Sequence, residues 1–459
     1  MTTAVLWLRR DLRLSDHPAL LAAGRDGRVV PLFVLDPALW EPAGAARRAW
    51  LLESLGALSA QLGGGLVVRT GDPVHVVAQV AAEAGAGAVH VTADAGPYGR
   101  RRDAAVAARL QEAGRRLVAT GTPYAIGPGT LLTGAGTPFQ VFTPFRTAWL
   151  TRGWPAPAPR PDQVDWHDGL PTEDLPDAPD LGGVRLPPAG EQAALERWES
   201  FRDNDLADYA DRRNLPGVDA TSQLSAHLKY GEIHPRTILA DLAAVAGQAG
   251  SGAELFRSEL CWREFYADVL WHHPDSAREY LRPAYARMQY DDPTASEVVA
   301  ERLEAWRAGR TGYPFVDAGM RQLLAEGWVH NRVRMVVASF LVKHLHIEWQ
   351  YGARHFMRHL RDGDLASNSH GWQWTAGSGT DAAPYFRIFN PVGQGLRFDP
   401  DGAYVRRYVP ELAHLAGGSA HEPWDARDGY THGYPTRLID LATERTEALA
   451  RLAALKDRR

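Results

Sequence analysis

The chain has 459 residues, 45% of them hydrophobic, which is enough to bury more than one core and excludes a disordered chain. Its net charge of −5 means that a nucleic-acid partner would have to be held by a local basic patch, not by the overall field. One cysteine, Cys261, excludes an internal disulfide, and with no apolar stretch of about 18 residues and no leader pattern the expectation is a soluble, cytoplasmic protein with no membrane partner.

Ala4-Val5-Leu6-Trp7-Leu8 is a short apolar run, followed by a polar turn, an amphipathic stretch from His17, and a second buried strand from Val29 to Leu35. The pattern continues with helix from Ala45 to Leu62, strand from Leu66 to Val68, helix from Val74 to Ala84, strand from Ala88 to Val91, helix from Arg102 to Glu112 and strand from Arg116 to Val118. Five strands alternating with helices predict a parallel, Rossmann-like α/β sheet covered on both faces, with ligands beyond the carboxyl ends of the strands. Neither Gly-x-Gly-x-x-Gly after the first strand nor Gly-x-x-x-x-Gly-Lys occurs, so this is not an ordinary dehydrogenase or P-loop module. Gly153 to Gly190 is crowded with Pro, Asp and Gly and reads as an ordered interdomain connector. After Glu191 the pattern is helical: Ala193 to Tyr209, Ile238 to Ala246, Leu255 to Trp271, Ala300 to Ala308, Asp317 to Ala325, Arg332 to His344 and Gly352 to Arg361. The second domain is expected to be all-α.

Glu259, Trp262, Arg263 and Tyr266 fall at i, i+3, i+4 and i+7, so one helical face carries a carboxylate, an indole, a guanidinium and a phenol; the alternative is a solvated Glu259/Arg263 pair. Asn331 and Met335 are one turn apart, with Arg332 and Arg334 beside them and Val333, Val336, Val337 and Phe340 free to face a core; an Asn331 N-cap explains the same letters. Thr221-Ser222-Gln223-Leu224-Ser225 precedes a helix and offers donors to a phosphate, or simple N-capping. Asp362 and Asp364 lie in a turn before Asn368; no His/Cys set completes a metal cage, so hydrogen bonding to a ribose, a flavin ring or Arg334 is easier than metal binding. Trp372 and Trp374 flank Gln373: extended geometry sends both rings to one side, a helix makes them diverge, and spacing alone does not choose.

Together these residues resemble the photolyase/cryptochrome family, specifically the bacterial class I cyclobutane pyrimidine dimer DNA photolyases. The resemblance runs nearly end to end, through the motifs from Leu6 to Arg13, Glu259 to Tyr266, Thr311 to Pro314, His330 to Met335, Asp362 to Trp374 and Tyr385 to Pro391. It implies an α/β antenna-binding domain over residues 1–130, a connector over 131–195 and an all-helical domain for FAD and the lesion over 196–459. It also implies FAD in a reduced, anionic active form. Tyr209, Thr221, Ser222, Gln223, Leu224 and Ser225 would serve its phosphates; Phe256, Glu259, Arg263, Trp328, Asn331 and Arg334 would lie around adenine, ribose or ring; Asp362, Asp364 and Asn368 would surround the isoalloxazine. Arg334 is expected to pair with Asp362 and to favour the anionic flavin.

The implied activity is light-driven repair: the excited reduced flavin passes an electron to a flipped-out dimer in UV-damaged single- or double-stranded DNA, and the cyclobutane ring opens. Glu259 would share a proton with a pyrimidine carbonyl, Asn331 and Met335 would contact the bases, and Trp262 and Trp374 would wall the lesion. Arg213, Arg263, Arg332 and Arg387 supply the local basic patch. Trp372 and Trp349 match the inner members of the chain that photoreduces the flavin; Tyr290 sits where its surface tryptophan would be, while Trp306 matches a different position. The antenna candidates are Phe33, Leu35, Asp36, Arg47, Asp94 and Arg102, and the stretch from Pro97 to Asp103 resembles relatives that bind 8-hydroxy-5-deazaflavin more than those that bind methenyltetrahydrofolate, because Gly99 stands where folate binders have Glu; a solvated helix start is the alternative for the arginines. A monomer is expected, and the main rival function is a cryptochrome-like light sensor.

Overall fold

The computed structural model describes residues 2–381 and 387–457, so Tyr385 and Phe386 of the last motif lie outside the described residues. Five strands, β1 (Thr3–Leu8), β2 (Arg28–Leu35), β3 (Val67–Thr70), β4 (Ala88–Val91) and β5 (Arg116–Ala119), form one parallel sheet in the order β3-β2-β1-β4-β5. Alternate residues serve opposite faces: Ala4, Leu6, Leu8, Val29, Phe33 and Leu35 enter one core with Trp50, while Val5, Trp7, Val30, Leu32 and Val34 enter another. With both faces covered, β1 and β2 read as apolar runs, whereas the edge strand β5 is only partly covered.

Numbering only helices of eight residues or more, the sheet is joined by α1 (Pro18–Asp26), α2 (Ala45–Gln61), α3 (Pro73–Glu83) and α4 (Pro97–Glu112). The last begins at Pro97, not at the expected Arg102, because proline fits the first helical turn and gives up no needed N–H there. A helix that the sequence reading missed, α5 (Phe142–Arg152), precedes the connector. The connector is tied to the sheet by His167 N–H to Val29 O at 2.9 Å and Glu173 N–H to Val68 O at 2.9 Å.

Helices follow to the end: α6 (Glu191–Asn204), α7 (Pro235–Ala244), α8 (Ala246–His272), α9 (Glu297–Arg307), α10 (Pro314–Glu326), α11 (Asn331–Lys343), α12 (Trp349–His359), α13 (Leu365–Ala376), α14 (Pro391–Phe398) and α15 (Leu441–Asp457). Near its start α8 breaks at Gly250, whose φ of 49° and ψ of −129° suit a residue without a Cβ. Among the described residues no helix is long and apolar enough to cross a membrane.

The chain packs as two compact units, Met1–Gly182 with Leu186–Ala207 and Ser222–Pro274, and Gly183–Arg185 with Asp208–Thr221 and Asp275–Arg459. Inside the first, α8 is pinned by buried carboxylates: Glu264 accepts from Ile126 N–H at 3.1 Å and Trp149 Nε1–H at 2.7 Å, and Asp268 accepts from Gly129 N–H at 2.7 Å. The second is built on an aromatic core that includes Trp306, Phe315, Phe340, Trp349, Trp372 and Tyr404. On α11, Val333, Val336, Val337 and Phe340 are buried, as its amphipathic pattern requires.

Three helices open on a histidine. His17, His234 and His330 accept through Nδ1 from the amides of Leu20, Arg236 and Arg332 at 3.1, 3.2 and 3.2 Å. A ring nitrogen that accepts carries no proton, so the neutral His330 ring bears its proton on Nε2. The cap of α11 is thus His330, and Asn331, for which capping was the alternative reading, is the first helical residue.

Candidate functional site

In the second unit, the start of α11 and the turn before α13 meet. Arg334 donates through Nε to Val329 O at 2.7 Å and through a terminal nitrogen to Asp362 Oδ2 at 2.8 Å, so the expected pair forms. Asp362 is buried, and its Oδ1 has no hydrogen-bond partner among the described residues. Asp364 accepts from Ser367 N–H at 3.0 Å and caps α13. Asn368 donates from its amide to Ala353 O at 3.1 Å, which turns its carbonyl oxygen away from that bond.

Trp372 and Trp374 lie on helix α13, so they diverge: Trp372 is buried and Trp374 half-buried. Gln373, between them, is fully engaged, donating to Ser276 O at 2.8 Å and Glu279 O at 3.2 Å and accepting from Leu281 N–H at 2.8 Å. The tip of Trp372 fits against α12 because position 352 is glycine; a Cβ there would lie 2.1 Å from the indole ring. Trp349, at the start of α12, is buried and meets Tyr280 edge-on at 6.2 Å, and Tyr280 stacks on Tyr290 at 6.5 Å.

A cationic cluster surrounds the exposed Asn331. Arg332 donates to Asn214 Oδ1 at 2.8 Å, lies 3.9 Å from Met335 Sδ and 4.4 Å over Phe398, and its pKa is lowered by burial and then by Arg213, Arg397 and Arg387. His330, beneath, is pushed down to about 4 by burial and by Arg332 and Arg334. Arg213 lies 5.3 Å over the ring of buried Tyr209. Arg387 is exposed, and its backbone oxygen accepts from buried Lys343 at 2.6 Å. Trp328 is half-buried, edge-on to His330 at 6.3 Å.

In the first unit, α8 carries Phe256, Glu259, Trp262 and Arg263. Trp262 lies flat on Phe142 of α5, ring centroids 3.7 Å apart and planes within 7°. The Arg263 guanidinium donates to Pro123 O at 3.2 Å and Leu228 O at 3.0 Å and covers the Tyr124 ring at 4.4 Å, so it is a tie between segments and not a solvated helix-surface cation. Glu259 is half-buried, and Phe256 is committed to an aromatic cluster with Trp198 and Phe201. Ser222 to Ser225 also belong to this unit and Thr221 to the other. The N-capping reading of that stretch fails: the short helix Ser225–Tyr230 is preceded by Leu224 and has no side-chain cap. Ser222 Oγ instead accepts from Leu224 N–H at 3.4 Å, and Gln223 holds a φ of 50°.

Beyond the carboxyl ends of β1 and β4 the charges are paired. Asp103 accepts from Arg9 and from Arg102, each at 2.9 Å, and Asp94 accepts from Arg102 at 3.1 Å. Arg102 is buried, so the alternative of a solvated helix start fails for it, and Arg9 and Arg102 lie 4.4 and 4.9 Å from the Trp7 ring. Asp36 caps the turn at Ala38 and accepts from Tyr98, whose phenol is pushed up to about 12 by burial and by Asp36. Phe33 and Leu35 are core residues, and Arg47 is half-buried.

Comparison with known proteins gives two family matches, "DNA photolyase" over residues 4–162 and "FAD binding domain of DNA photolyase" over residues 256–454. A deoxyribodipyrimidine photo-lyase of Streptomyces griseus is 41% identical, covering 97% of this chain and 98% of that protein. One from Escherichia coli is 38% identical, covering 99% of each.

The chain belongs to the DNA photolyase family.

Solved photolyase-family structures share its fold. A bacterial class III photolyase from Agrobacterium tumefaciens superposes with a TM-score of 0.91 at 37% identity, covering 100% of this chain and 98% of that one. A Synechocystis cryptochrome gives 0.88 at 27% identity, covering 98% and 99%. The residues of the FAD-binding domain suit that photolyase cofactor: Asp362 offers a buried acceptor oxygen without a partner among the described residues, and Arg334 sets a cation beside it. The sequence reading missed Phe142, Gln373, Tyr280 and Arg397. Phe142 and Tyr280 act through ring contacts that no local pattern encodes, whereas Arg397 follows directly on an exposed leucine in a basic, aromatic stretch and could have been marked.

Proposed function

We propose that this photolyase-family protein repairs cyclobutane pyrimidine dimers in UV-damaged DNA with light, as a class I enzyme, monomeric and cytoplasmic. The observation that carries the reading is near-complete coverage by relatives named deoxyribodipyrimidine photo-lyase at about 40% identity, joined to the pairing of half-buried Arg334 with buried Asp362. Bound and reduced, FAD supplies the electron that opens the cyclobutane ring when light is absorbed.

The protein's own residues bind, orient and exclude water. Arg334 stabilises negative charge near the ring, Asp362 accepts a hydrogen bond through Oδ1, and Asn368 presents its carbonyl oxygen. Asp364 holds the start of α13 in place for them, with Trp328 alongside, and Tyr209, the Thr221 to Ser225 segment, Phe256 and Arg263 complete the cofactor set. Trp262, backed by Phe142, gives the lesion a flat wall that does not tilt, and Trp374 supplies a second. Glu259 holds a proton at a pyrimidine carbonyl, while Asn331 and Met335 contact the bases. Arg213, Arg332 and Arg387 contact phosphates. Trp372, Trp349 and Tyr290 carry electrons to the flavin.

The functional division is antenna over residues 1–130, connector over 131–195, and flavin and lesion over 196–459. For the antenna site of Phe33, Leu35, Asp36, Arg47, Asp94 and Arg102, 8-hydroxy-5-deazaflavin is favoured. In support, a Cβ at Gly99 would lie 2.0 Å from Asp94 Oδ2, so the glutamate of folate binders would displace Asp94. An archaeal photolyase from Sulfolobus tokodaii, 27% identical with a TM-score of 0.84, was solved with two FAD molecules, so the mass of the released pigment has three outcomes, and folate or FAD would overturn the deazaflavin.

The test is illumination of chemically reduced protein with dimer-containing oligothymidine. Light-dependent loss of dimers is expected; none would leave the light-sensor reading. Glu259→Ala is expected to lower the repair yield with flavin retained, and an unchanged yield would remove its proton role.

A further inference from the structure

Tyr280 is fixed on three sides within the second unit. Gln373 of α13, the neighbour of Trp372, clamps the backbone on either side of it through Glu279 O and Leu281 N–H. Its buried ring meets Trp349 edge-on at 6.2 Å and stacks on Tyr290 at 6.5 Å with planes 14° apart. Its hydroxyl donates to Glu348 Oε1 at 3.0 Å, and Glu348 immediately precedes Trp349.

The geometry points to Tyr280 as the residue oxidised after Trp349, with the Glu348 carboxylate taking its phenolic proton; this rests on the light-driven flavin reading above. The oxidant is the indole radical cation left on Trp349 when its electron moves toward Trp372 during photoreduction of the flavin. One electron passes from Tyr280 to Trp349, and one proton passes from Tyr280 Oη to Glu348 Oε1. Trp349 returns to neutral indole, leaving a neutral tyrosyl radical and a protonated Glu348. The proton needs no rearrangement to move, because donor and acceptor are already in hydrogen-bond contact. Burial, Tyr290 and Glu348 hold the phenol above its ordinary range, so it keeps its proton until the ring is oxidised. Trp306, which meets Trp372 at 6.1 Å, is a poor terminus: it is fully buried and its N–H donates only to Val337 O, a carbonyl that cannot accept the proton outright. Tyr290, stacked on Tyr280, becomes the next ring outward and not the first tyrosine oxidised.

The experiment is flash photolysis with transient absorption and electron paramagnetic resonance on oxidised, flavin-loaded protein containing ring-deuterated tyrosine. A neutral tyrosyl radical is expected to form as the tryptophan signal decays. Tyr280→Phe keeps the ring and should abolish the tyrosyl signal while prolonging the tryptophan radical. Glu348→Gln keeps the shape but not the proton acceptor, and should slow tyrosyl formation by about 100-fold. Tyr290→Phe should leave the first tyrosyl radical intact. A tyrosyl radical undiminished in Tyr280→Phe, or none in the wild type, overturns the inference; loss in Tyr290→Phe alone moves the hole to Tyr290. Dimer splitting by wild-type protein reduced chemically beforehand tests the parent reading separately: splitting without a tyrosyl radical sinks only the relay, and a tyrosyl radical without splitting sinks only repair.

Discussion

Two arginine clusters in this protein use the same side chain in opposite ways. At the sheet rim, Arg9 and Arg102 share Asp103, and Asp94 takes a further bond from Arg102, so buried charge is matched within the fold. Around the start of α11, Arg332 is held by an amide and a thioether while Arg213, Arg387 and Arg397 add like charge. Matched charge is structural. Accumulated like charge costs stability and is relieved by an anion, as a DNA backbone would provide.

Acid should separate the two clusters most strongly. His330 is neutral when folded, at about 4, whereas its free value is about 6.5. Below about pH 6.5 the unfolded chain binds the proton and the folded one does not, so stability falls from there down to about pH 4, by on the order of 3 kcal/mol from this residue. Asp94 is shifted the same way but titrates in a lower window. Burial raises it, but Arg102, Arg10 and Arg9 outweigh burial and hold it below its ordinary value, so its contribution persists until the pH drops below the usual aspartate range. Hydrogen exchange corrected for intrinsic rates should show the first turn of α11 opening between about pH 6.5 and 4 while residues 92–103 stay protected. Simultaneous opening would erase the contrast.

Removing Asp103 is the next largest break. Asp103→Ala leaves two largely buried guanidinium groups with one carboxylate partner fewer, and urea unfolding should show a loss of about 2–3 kcal/mol. The matching change in the other cluster, Arg397→Ala, removes an exposed like charge, so unfolding should shift by less than about 0.5 kcal/mol. Its effect should appear in DNA binding: the slope of log affinity against log salt should fall by about 0.9 if one phosphate contact is lost. An unchanged slope would exclude Arg397 from the interface.

The α/β sheet was legible because its central strands are buried on both faces and announce themselves as apolar runs. Helix α13 was not legible. Its buried side includes Ser369, His370, Gln373 and Thr375, which have no apolar period, and Gln373 is accommodated only because the 276–281 segment satisfies its amide. The start of α4 was misplaced because Pro97 and Gly99 look like turn residues, although Gly99 is required there to pack on Asp94. The site motifs were legible as chemistry, and the Arg334–Asp362 pair formed as expected. Their backing was not. Phe142 behind Trp262 comes from a distant helix, and Tyr280 reaches Trp349 through tertiary packing.

Helix α11 carries Asn331 and Arg334 at its start, while near its end Ser339 accepts from Phe389 N–H at 3.3 Å and Lys343 donates to Arg387 O. Each residue of a helix advances the face by about 100°, so one inserted or deleted residue between Met335 and Ser339 would turn the two groups out of phase. Substitution can retune this helix, but its length is locked: descendants of this sequence should vary its letters and never its count, and a one-residue insertion there should be tolerated less well than any single exchange on its exposed face.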